Sequence, residues 1–211
     1  RKDKFDTPPT SLAALWDPAL EGRIALWDDK SAIYVAARLN GDADIYNLTD
    51  EQIAAAQETL LKQKPLVRKY WATAGELVDL YKADEVWISN TWAGYQSSLL
   101  AADGIEVVEF IPTENAEGWM DSFMVVKGTP NEECAYKFLN MAVSELGQCG
   151  VANVNGYSAT NPVAAKECMT PEQYLALHQD DPDYLDSLLL WENLGPRLSA
   201  YTNAWNAVKS Q

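Results

Sequence analysis

The sequence has few histidines and few positive charges, and both shortages limit the classes of function that the protein can have. Its 211 residues contain 1 His and 16 basic residues against 31 acidic ones, which gives a formal net charge of −15. We expect no nucleic-acid partner, because phosphate binding needs a basic surface. The single histidine, His178, lies in an apolar run typical of a helix, so a Ser-His-Asp triad has little support.

Cofactor and catalytic motifs are also missing. The chain has no G-x-G-x-x-G, no phosphate-binding loop and no G-x-S-x-G nucleophile elbow. Its three cysteines, Cys134, Cys149 and Cys168, include no C-x-x-C pair and do not complete a zinc set with His178. We therefore expect no cofactor, no metal and no catalysis. The cysteines permit either one disulfide with one free thiol or three buried thiols.

Long apolar runs are absent as well. No stretch approaches the roughly 20 apolar residues of a membrane span, and residues 1–6 lack the apolar core of a signal peptide. The chain opens without Met in what resembles a linker, so we expect a processed or truncated protein. Apolar residues make up 47% of the sequence, which is enough to bury a core.

Short apolar runs alternate with amphipathic stretches along the chain. The apolar runs predict strands, and the stretches between them predict helices, several of which begin at Thr capping signals such as Thr49 and Thr170. The order predicts an α/β fold with helices on both faces of the sheet. The predicted strands are 23–27, 86–89, 105–111 and 118–126, and the main predicted helices are 30–39, 49–64, 74–81, 93–102 and 129–146.

Tryptophan is the residue that stands out, with 8 in the chain. Trp27 precedes Asp28-Asp29 at the end of a predicted strand, Trp92 follows another, and Trp119 precedes Asp121. Ligands of open α/β folds bind at the carboxyl ends of strands. An aromatic face beside a carboxylate suits an ammonium group, because both attract its charge. The pattern predicts a site for an amine-bearing small molecule.

Five segments in this order resemble the polyamine (spermidine/putrescine)-binding family of periplasmic solute receptors. They are 11–29, 85–94, 118–122, 135–140 and 156–162. Members of that family are two-domain, type II periplasmic binding proteins that serve ABC transporters. The resemblance implies a fold of this type, with a mixed sheet and an incomplete second lobe. It also implies a periplasmic or extracytoplasmic protein that works with an ABC permease.

The resemblance implies ligand contacts residue by residue. Trp92 and Trp119 would flank the methylene chain of the ligand, Asp121 would bind an ammonium group, and Tyr157 would add a hydroxyl or ring contact. A buried ammonium needs such partners because an unpaired buried charge is very costly.

Two further carboxylates are implied, Asp29 and Glu192, but two acids of the family are missing. Ala32 and Tyr95 stand where relatives carry acidic residues. A long polyamine is therefore less favoured, and an ω-amino acid of the 4-aminobutyrate kind is an alternative. Such a ligand needs a cation for its carboxylate, for which Arg68 is the candidate.

Compared with the family, the sequence lacks the segment that builds most of the first lobe. We expect residues 1–119 and 166–211 to form the second lobe, and residues 120–165 to belong to the mostly absent first lobe. The apolar helix face in 120–165 then needs a cover, and self-association is one way to provide it. A ligand-sensing module on the same fold and a hydrolase that uses an acid pair remain alternatives.

Overall fold

The structure, a computed structural model, describes residues 1–211 and divides them into two compact units. Unit 1 comprises Arg1–Trp92, Gln96–Glu117 and Trp191–Gln211, and unit 2 comprises Ala93–Tyr95 and Gly118–Leu190. Residues 166–190 therefore group with unit 2, whereas the sequence placed them with the second lobe. The assignment of each unit to a lobe stays a prediction.

A parallel three-stranded sheet is the centre of unit 1. Its strands are β1 (Ile24–Trp27), β2 (Val67–Trp71) and β3 (Ile88–Ser89), in the order β2-β1-β3. In the register, Trp27 lies opposite Trp71. The first three residues of β1 are buried, as expected for a central parallel strand covered on both faces. Because all three strands run in one direction, their carboxyl ends share one edge.

Helices cover this sheet and end where the sequence predicts. In unit 1 the first two are α1 (Ala32–Asn40), which ends at left-handed Gly41, and α2 (Asp50–Gln63), which begins at a Thr49–Gln52 capping box. Three more follow in chain order, although the first residue of α4 belongs to unit 2: α3 (Ala74–Lys82), α4 (Tyr95–Ala102) and the last helix of the chain (Leu198–Ser210).

Unit 2 contains short helices and two very short strands, although Glu117, the first residue of the first strand, belongs to unit 1. The strands β4 (Glu117–Gly118) and β5 (Leu189–Leu190) pair with each other. Its helices are α5 (Glu132–Ala142), α6 (Glu145–Gly150), α7 (Pro162–Lys166) and α8 (Pro171–Ala176), so the last helix of the chain is α9. A π-helical turn, Val151–Asn155, continues α6. No helix in the chain is long and apolar enough to cross a bilayer.

Two strand predictions were wrong, and one strand was missed. Strand β2 was missed, because polar Arg68 and Lys69 interrupt its apolar pattern right after Pro65. Residues 105–111 form no strand, and of 118–126 only Gly118 is in one. Ile105 and Val107 do pack against the core of unit 1, but the segment makes only isolated backbone bonds, such as Lys2 N–H to the Glu106 carbonyl at 3.0 Å. A strand needs a neighbour along its length.

Two helix predictions also needed correction. The helix expected at Thr129 begins later, at Glu132, with Asn131 as its N-cap and no side-chain cap bond. The apolar pattern of the last 25 residues or so predicts a pair of helices, but the structure has a single helix there, α9, preceded by the short 3-10 turn Gly195–Arg197. The apolar spacing in this region reflects one helix with a buried face that includes Tyr201 and Trp205.

The hydroxyl of Tyr201 attaches α9 to the loop before α2, and removal of this hydroxyl tests the attachment. It accepts from the Leu48 N–H and donates to the Ile45 carbonyl, both at 2.9 Å. Tyr201→Phe leaves two buried backbone groups unpaired, so we expect the free energy of unfolding to fall by about 1–3 kcal/mol in urea denaturation.

Tyr70→Phe is the matched control for this substitution. The Tyr70 hydroxyl is buried without a hydrogen-bond partner, although its ring packs on Trp205 at 4.9 Å. Its removal should leave stability unchanged or raise it, because a desolvated group without a partner is lost. Equal losses in both variants would contradict the role of the Tyr201 hydroxyl.

Candidate functional site

The carboxyl edge of the sheet in unit 1 carries a group of tryptophans. Trp27 ends β1, Trp71 ends β2, and Trp92 lies three residues after β3. The Trp92 ring centroid lies 5.4 Å from Trp27 and 5.2 Å from Trp71, in edge-on arrangements typical of stable aromatic packing. Trp71 is fully buried, whereas Trp27 and Trp92 are half-buried. Parallel pairing therefore brings together three rings that are distant in sequence.

Polar side chains accept one hydrogen bond from each of these three tryptophans, from the backbone of Trp27 and Trp92 and from the indole of Trp71. The Trp92 N–H donates to Gln96 Oε1 at 3.1 Å, and Gln96 is fully buried. The Trp71 indole N–H donates to Ser89 Oγ at 3.0 Å. The Trp27 N–H donates to Asn90 Oδ1 at 2.8 Å, which continues the pairing of β1 beyond the end of β3. The aromatic edge is thus held by hydrogen bonds as well as by packing.

A fourth ring, Trp191, stacks on Trp27. The two planes are within 3° of parallel, with centroids 6.1 Å apart. Trp191 is 42% exposed, so part of its surface is open to solvent. The Lys30 ammonium lies 5.8 Å from the Trp191 centroid, which shows that a cation is accommodated at this ring. We call Trp27, Trp71, Trp92 and Trp191 the tryptophan wall.

The two acids that follow β1 have different roles. Asp28 accepts hydrogen bonds from the Trp205 indole at 2.9 Å and the Lys209 ammonium at 2.6 Å, so it attaches α9 to the sheet. Asp29 accepts the Ser31 N–H at 2.8 Å and lies 3.6 Å from the Lys30 ammonium. Asp28 is therefore structural, whereas Asp29 lies beside the tryptophan wall with a weaker ion pair.

Glu117 is a candidate site residue that the sequence did not reveal. Burial, with the negative charge of Asp29, raises the pKa of its carboxyl to about 8, while Arg38 opposes this shift. Glu117 ends a polar loop that gives no sign of burial in the sequence. Its position two residues before Trp119 is the one feature that could have marked it.

Asp29 and Glu117 act on one buried tyrosine, Tyr34, and Glu117 and Glu192 act on another, Tyr46. Burial raises the pKa of Tyr34, and Asp29 and Glu117 raise it further. Burial likewise raises the pKa of Tyr46, and there Glu117 and Glu192 add to the shift. We call Asp29, Glu117 and Glu192 the carboxylate cluster of unit 1. Asp29 and Glu117 lie in a partly desolvated setting, whereas Glu192 is exposed, and the ionised forms of these acids favour a bound cation.

Three other predicted residues lie in unit 2. The rings of Trp119 and Tyr157 meet edge-on with centroids 6.0 Å apart, and Asp121 is exposed. Tyr157 follows Gly156, whose backbone touches that of Gly94. A Cβ on Gly94 would lie 2.7 Å from the Gly156 carbonyl oxygen, so this approach requires glycine.

Arg68 lies apart from the other predicted residues of unit 1. It is near the start of β2, about 10 Å along the strand from Trp71. Its guanidinium forms an ion pair with Glu85 at 2.5 Å, and both side chains are exposed. The structure thus brings Trp92, Asp29 and Glu192 into the region of the tryptophan wall and carboxylate cluster but not Arg68, whose ligand role stays a prediction.

No group of three His, Cys, Asp or Glu side chains is arranged to hold a metal.

Comparison with known proteins gives consistent matches. The sequence model of a family described as bacterial extracellular solute-binding protein matches residues 1–182. The spermidine/putrescine-binding periplasmic protein of Escherichia coli K12 is 28% identical over 209 residues, which cover 95% of this chain and 57% of that protein. The chain thus spans little more than half the length of this relative.

Solved structures share the fold. The spermidine/putrescine ABC transporter substrate-binding protein PotD from Streptococcus pneumoniae superposes with a TM-score of 0.78 at 20% identity, over 99% of this chain and 64% of that one. A structure titled Atu4243-GABA receptor gives a TM-score of 0.72 at 21% identity, over 98% and 63%. At these identities the likeness concerns the fold, which is that of type II periplasmic binding proteins.

The pH dependence of stability tests the buried state of Glu117. Its pKa rises from 4.5 to about 8 on folding, so the folded state holds the proton more tightly than the unfolded state. This contribution to stability is complete below pH 4.5 and is lost as the pH rises towards 8. Glu117→Gln removes it, so we expect the free energy of unfolding to fall less steeply between pH 5 and 8 than in the wild type.

Urea unfolding followed by tryptophan fluorescence at several pH values measures this slope. Glu58→Gln, a substitution of an exposed acid on α2, is the control and should keep the wild-type slope. If wild type and Glu117→Gln differ by the same free energy at every pH, the Glu117 carboxyl is not buried as described.

Proposed function

Because the chain belongs to the family of bacterial extracellular solute-binding proteins, we propose that the full-length protein is a solute receptor for an ABC importer, with an amine-bearing ligand such as putrescine or spermidine. The family resemblance, the type II fold and the extracytoplasmic location predicted from the sequence are confirmed by the family match and the relatives. The ligand and the membrane permease as partner are parts of the proposal.

The observation that carries the proposal is the tryptophan wall beside the carboxylate cluster in unit 1. An ammonium group loses its hydration on entering a protein and needs carboxylates in exchange. Indole faces attract the same charge and also pack against methylene groups. Asp29 offers the charge, and Glu117 offers a carboxyl whose pKa of about 8 falls when an ammonium binds beside it. Trp92 and Trp191 offer the faces, because the Trp27 ring is itself stacked between Trp71 and Trp191. This combination suits an alkyl chain that ends in an ammonium.

The charge balance favours an amine over an ω-amino acid. A ligand carboxylate needs a cation, and the candidate, Arg68, is paired with Glu85 away from the wall. The carboxylate cluster also offsets the acid missing at Ala32, because Glu117 supplies a carboxyl near Asp29. A ligand with more than one ammonium group is therefore better matched than the sequence suggested, and the 4-aminobutyrate-like ligand is the second candidate.

We assign two groups of ligand contacts, one in each unit. Asp29, Trp92 and Glu192 belong to unit 1, which we assign to the second lobe. Trp119, Asp121 and Tyr157 belong to unit 2, which we assign to the first lobe of the full-length protein. Catalysis is not part of this function: Asp28 is held by Trp205 and Lys209, which leaves Asp29 without the adjacent acid that a hydrolase of the acid-pair type requires.

The 211-residue chain by itself exposes an apolar surface in unit 2. Helix α5 has no buried residue, and Phe138 on this helix packs edge-on against Phe123 at 5.2 Å while both remain exposed. Met124 and Leu146 are more than two-thirds exposed. A surface of this kind is rarely left in contact with water. We propose that this chain, in isolation, self-associates through residues 120–165.

Amine binding by the full-length protein is the direct test of the function. Isothermal titration should give binding of putrescine or spermidine, and Asp29→Asn should weaken it by about 30-fold or more, because a desolvated ammonium loses a charged partner. Trp92→Ala should also weaken binding. Arg68→Ala is the control and should leave amine affinity unchanged. Binding of 4-aminobutyrate that depends on Arg68, without amine binding, would overturn the proposal in favour of the second candidate.

Self-association is tested on the 211-residue chain by sedimentation equilibrium. We expect a mass above 23.4 kDa that rises with concentration. Phe138→Asp places a charge in the apolar surface and should lower the mass towards the monomer, whereas Lys137→Asp on the same helix, whose side chain is exposed and polar, is the control. A strictly monomeric wild-type chain would contradict the proposal.

A further inference from the structure

The loop that contains Tyr157 lies between two cysteines that form a disulfide, and the proposed function gives this disulfide no role. Cys149 lies in α6 and Cys168 follows α7, and their sulfurs are bonded to each other across 19 residues. The third cysteine, Cys134, is exposed and free. The segment enclosed by the bridge contains the π-helical turn 151–155, the loop 156–161 and α7.

Unit 2 has little apolar burial to hold this segment in place. Its buried side chains are three alanines and one glutamine, namely Ala152, Ala159, Ala165 and Gln148. Alanine contributes little apolar area, so packing alone stabilises the segment weakly. A covalent link that limits the freedom of the chain has its largest effect where the core is this small.

Polar contacts beside the bridge position the loop itself. Gln148, adjacent to Cys149, accepts the Asn161 N–H at 3.0 Å and the Thr160 hydroxyl at 3.2 Å, and it donates to the Ala142 carbonyl at 2.7 Å. The end of the loop is therefore held by the residue next to one bridged cysteine. Asn161 then caps α7 through the Ala164 N–H at 3.2 Å, and that helix leads to the other cysteine.

The start of the loop is held by the contact between Gly94 and Gly156. Tyr157 leaves this contact and meets Trp119 at 6.0 Å. Its position therefore depends on two attachments, the glycine contact before it and the Gln148 contacts after it. The second depends on α6 and α7 staying together, which is what the disulfide ensures.

From this arrangement we propose that the Cys149–Cys168 bridge is a positioning element for Tyr157, and that its reduction weakens binding of the amine ligand. The inference rests on the proposed function. In the chemical step a dithiol supplies two electrons and two protons: the S–S bond breaks, both cysteines become thiols, and the dithiol closes to its own disulfide. The oxidised form is the one expected outside the cytoplasm.

The test compares oxidised and reduced full-length protein in titrations with putrescine at a temperature where both are folded. Freeing a side chain that must be ordered again on binding costs about a tenfold loss of affinity. We expect this loss on treatment with dithiothreitol and in the Cys149→Ser/Cys168→Ser variant. Cys134→Ser keeps the bridge and should retain wild-type affinity. A lower melting temperature with unchanged affinity in the reduced protein would overturn the proposal.

A double-mutant cycle separates positioning from general loss of structure. In a Tyr157→Ala background, reduction should weaken binding no further, because the side chain that the bridge positions is gone. An equal further loss in that background would show that the bridge acts through other residues and would refute the assignment. If Cys149→Ser/Cys168→Ser does not fold, reduction of the folded Tyr157→Ala protein supplies the same comparison.

Failure of the proposed function has a different signature. If the oxidised protein binds no amine, hydrogen exchange still tests the bridge. Reduction should speed exchange of the Asn161 amide and of its neighbours in 156–161, while the buried face of α9 in unit 1 stays protected. Unchanged exchange in the loop would overturn the positioning role regardless of the ligand.

Discussion

Parallel pairing of β1 with β2 and β3 is the constraint on which the candidate site in unit 1 depends. It brings the carboxyl ends of three strands to one edge, and each strand delivers a tryptophan there or shortly after it. Asp28 and Asp29 leave β1 at the same edge. Without this pairing, the rings of Trp27, Trp71 and Trp92 would not lie next to one another.

The resulting site places acidic side chains where they are partly shielded from water. Asp28 is neutralised by Lys209 and attaches α9, which leaves Asp29 and Glu117 as acids in a partly desolvated setting. Like charges close together disfavour ionisation, and an incoming ammonium relieves this cost. The high pKa of Glu117 and the expected preference for cations are thus two consequences of one arrangement. The tryptophan wall supplies the apolar surface that a purely acidic patch lacks.

Local signals in the sequence predicted capped helices in both units, such as those that begin at Thr49 and Thr170, but not the features that depend on long-range contacts. Capping at Thr49 and the apolar run of β1 act over a few residues, and both predictions are confirmed. Residues 105–111 and 118–126 have strand-like patterns, but a strand also needs a neighbour along its length, and of these residues only Gly118 is paired with another strand. Glu117 was missed because the charged residues that act on its carboxyl, Asp29 and Arg38, are distant from it in the sequence. The cysteine pairing was left open for the same reason, since only the fold brings Cys149 to Cys168.

The central claim is that carboxylates beside a tryptophan wall select an ammonium group at the end of an alkyl chain. Calorimetric titration of the full-length protein with putrescine and with 1,4-butanediol tests it most directly, because the two ligands share the four-carbon chain and differ in their charged ends. The account predicts measurable binding of putrescine and none of the diol under the same conditions. Equal affinity for both, or binding of the diol alone, would contradict it.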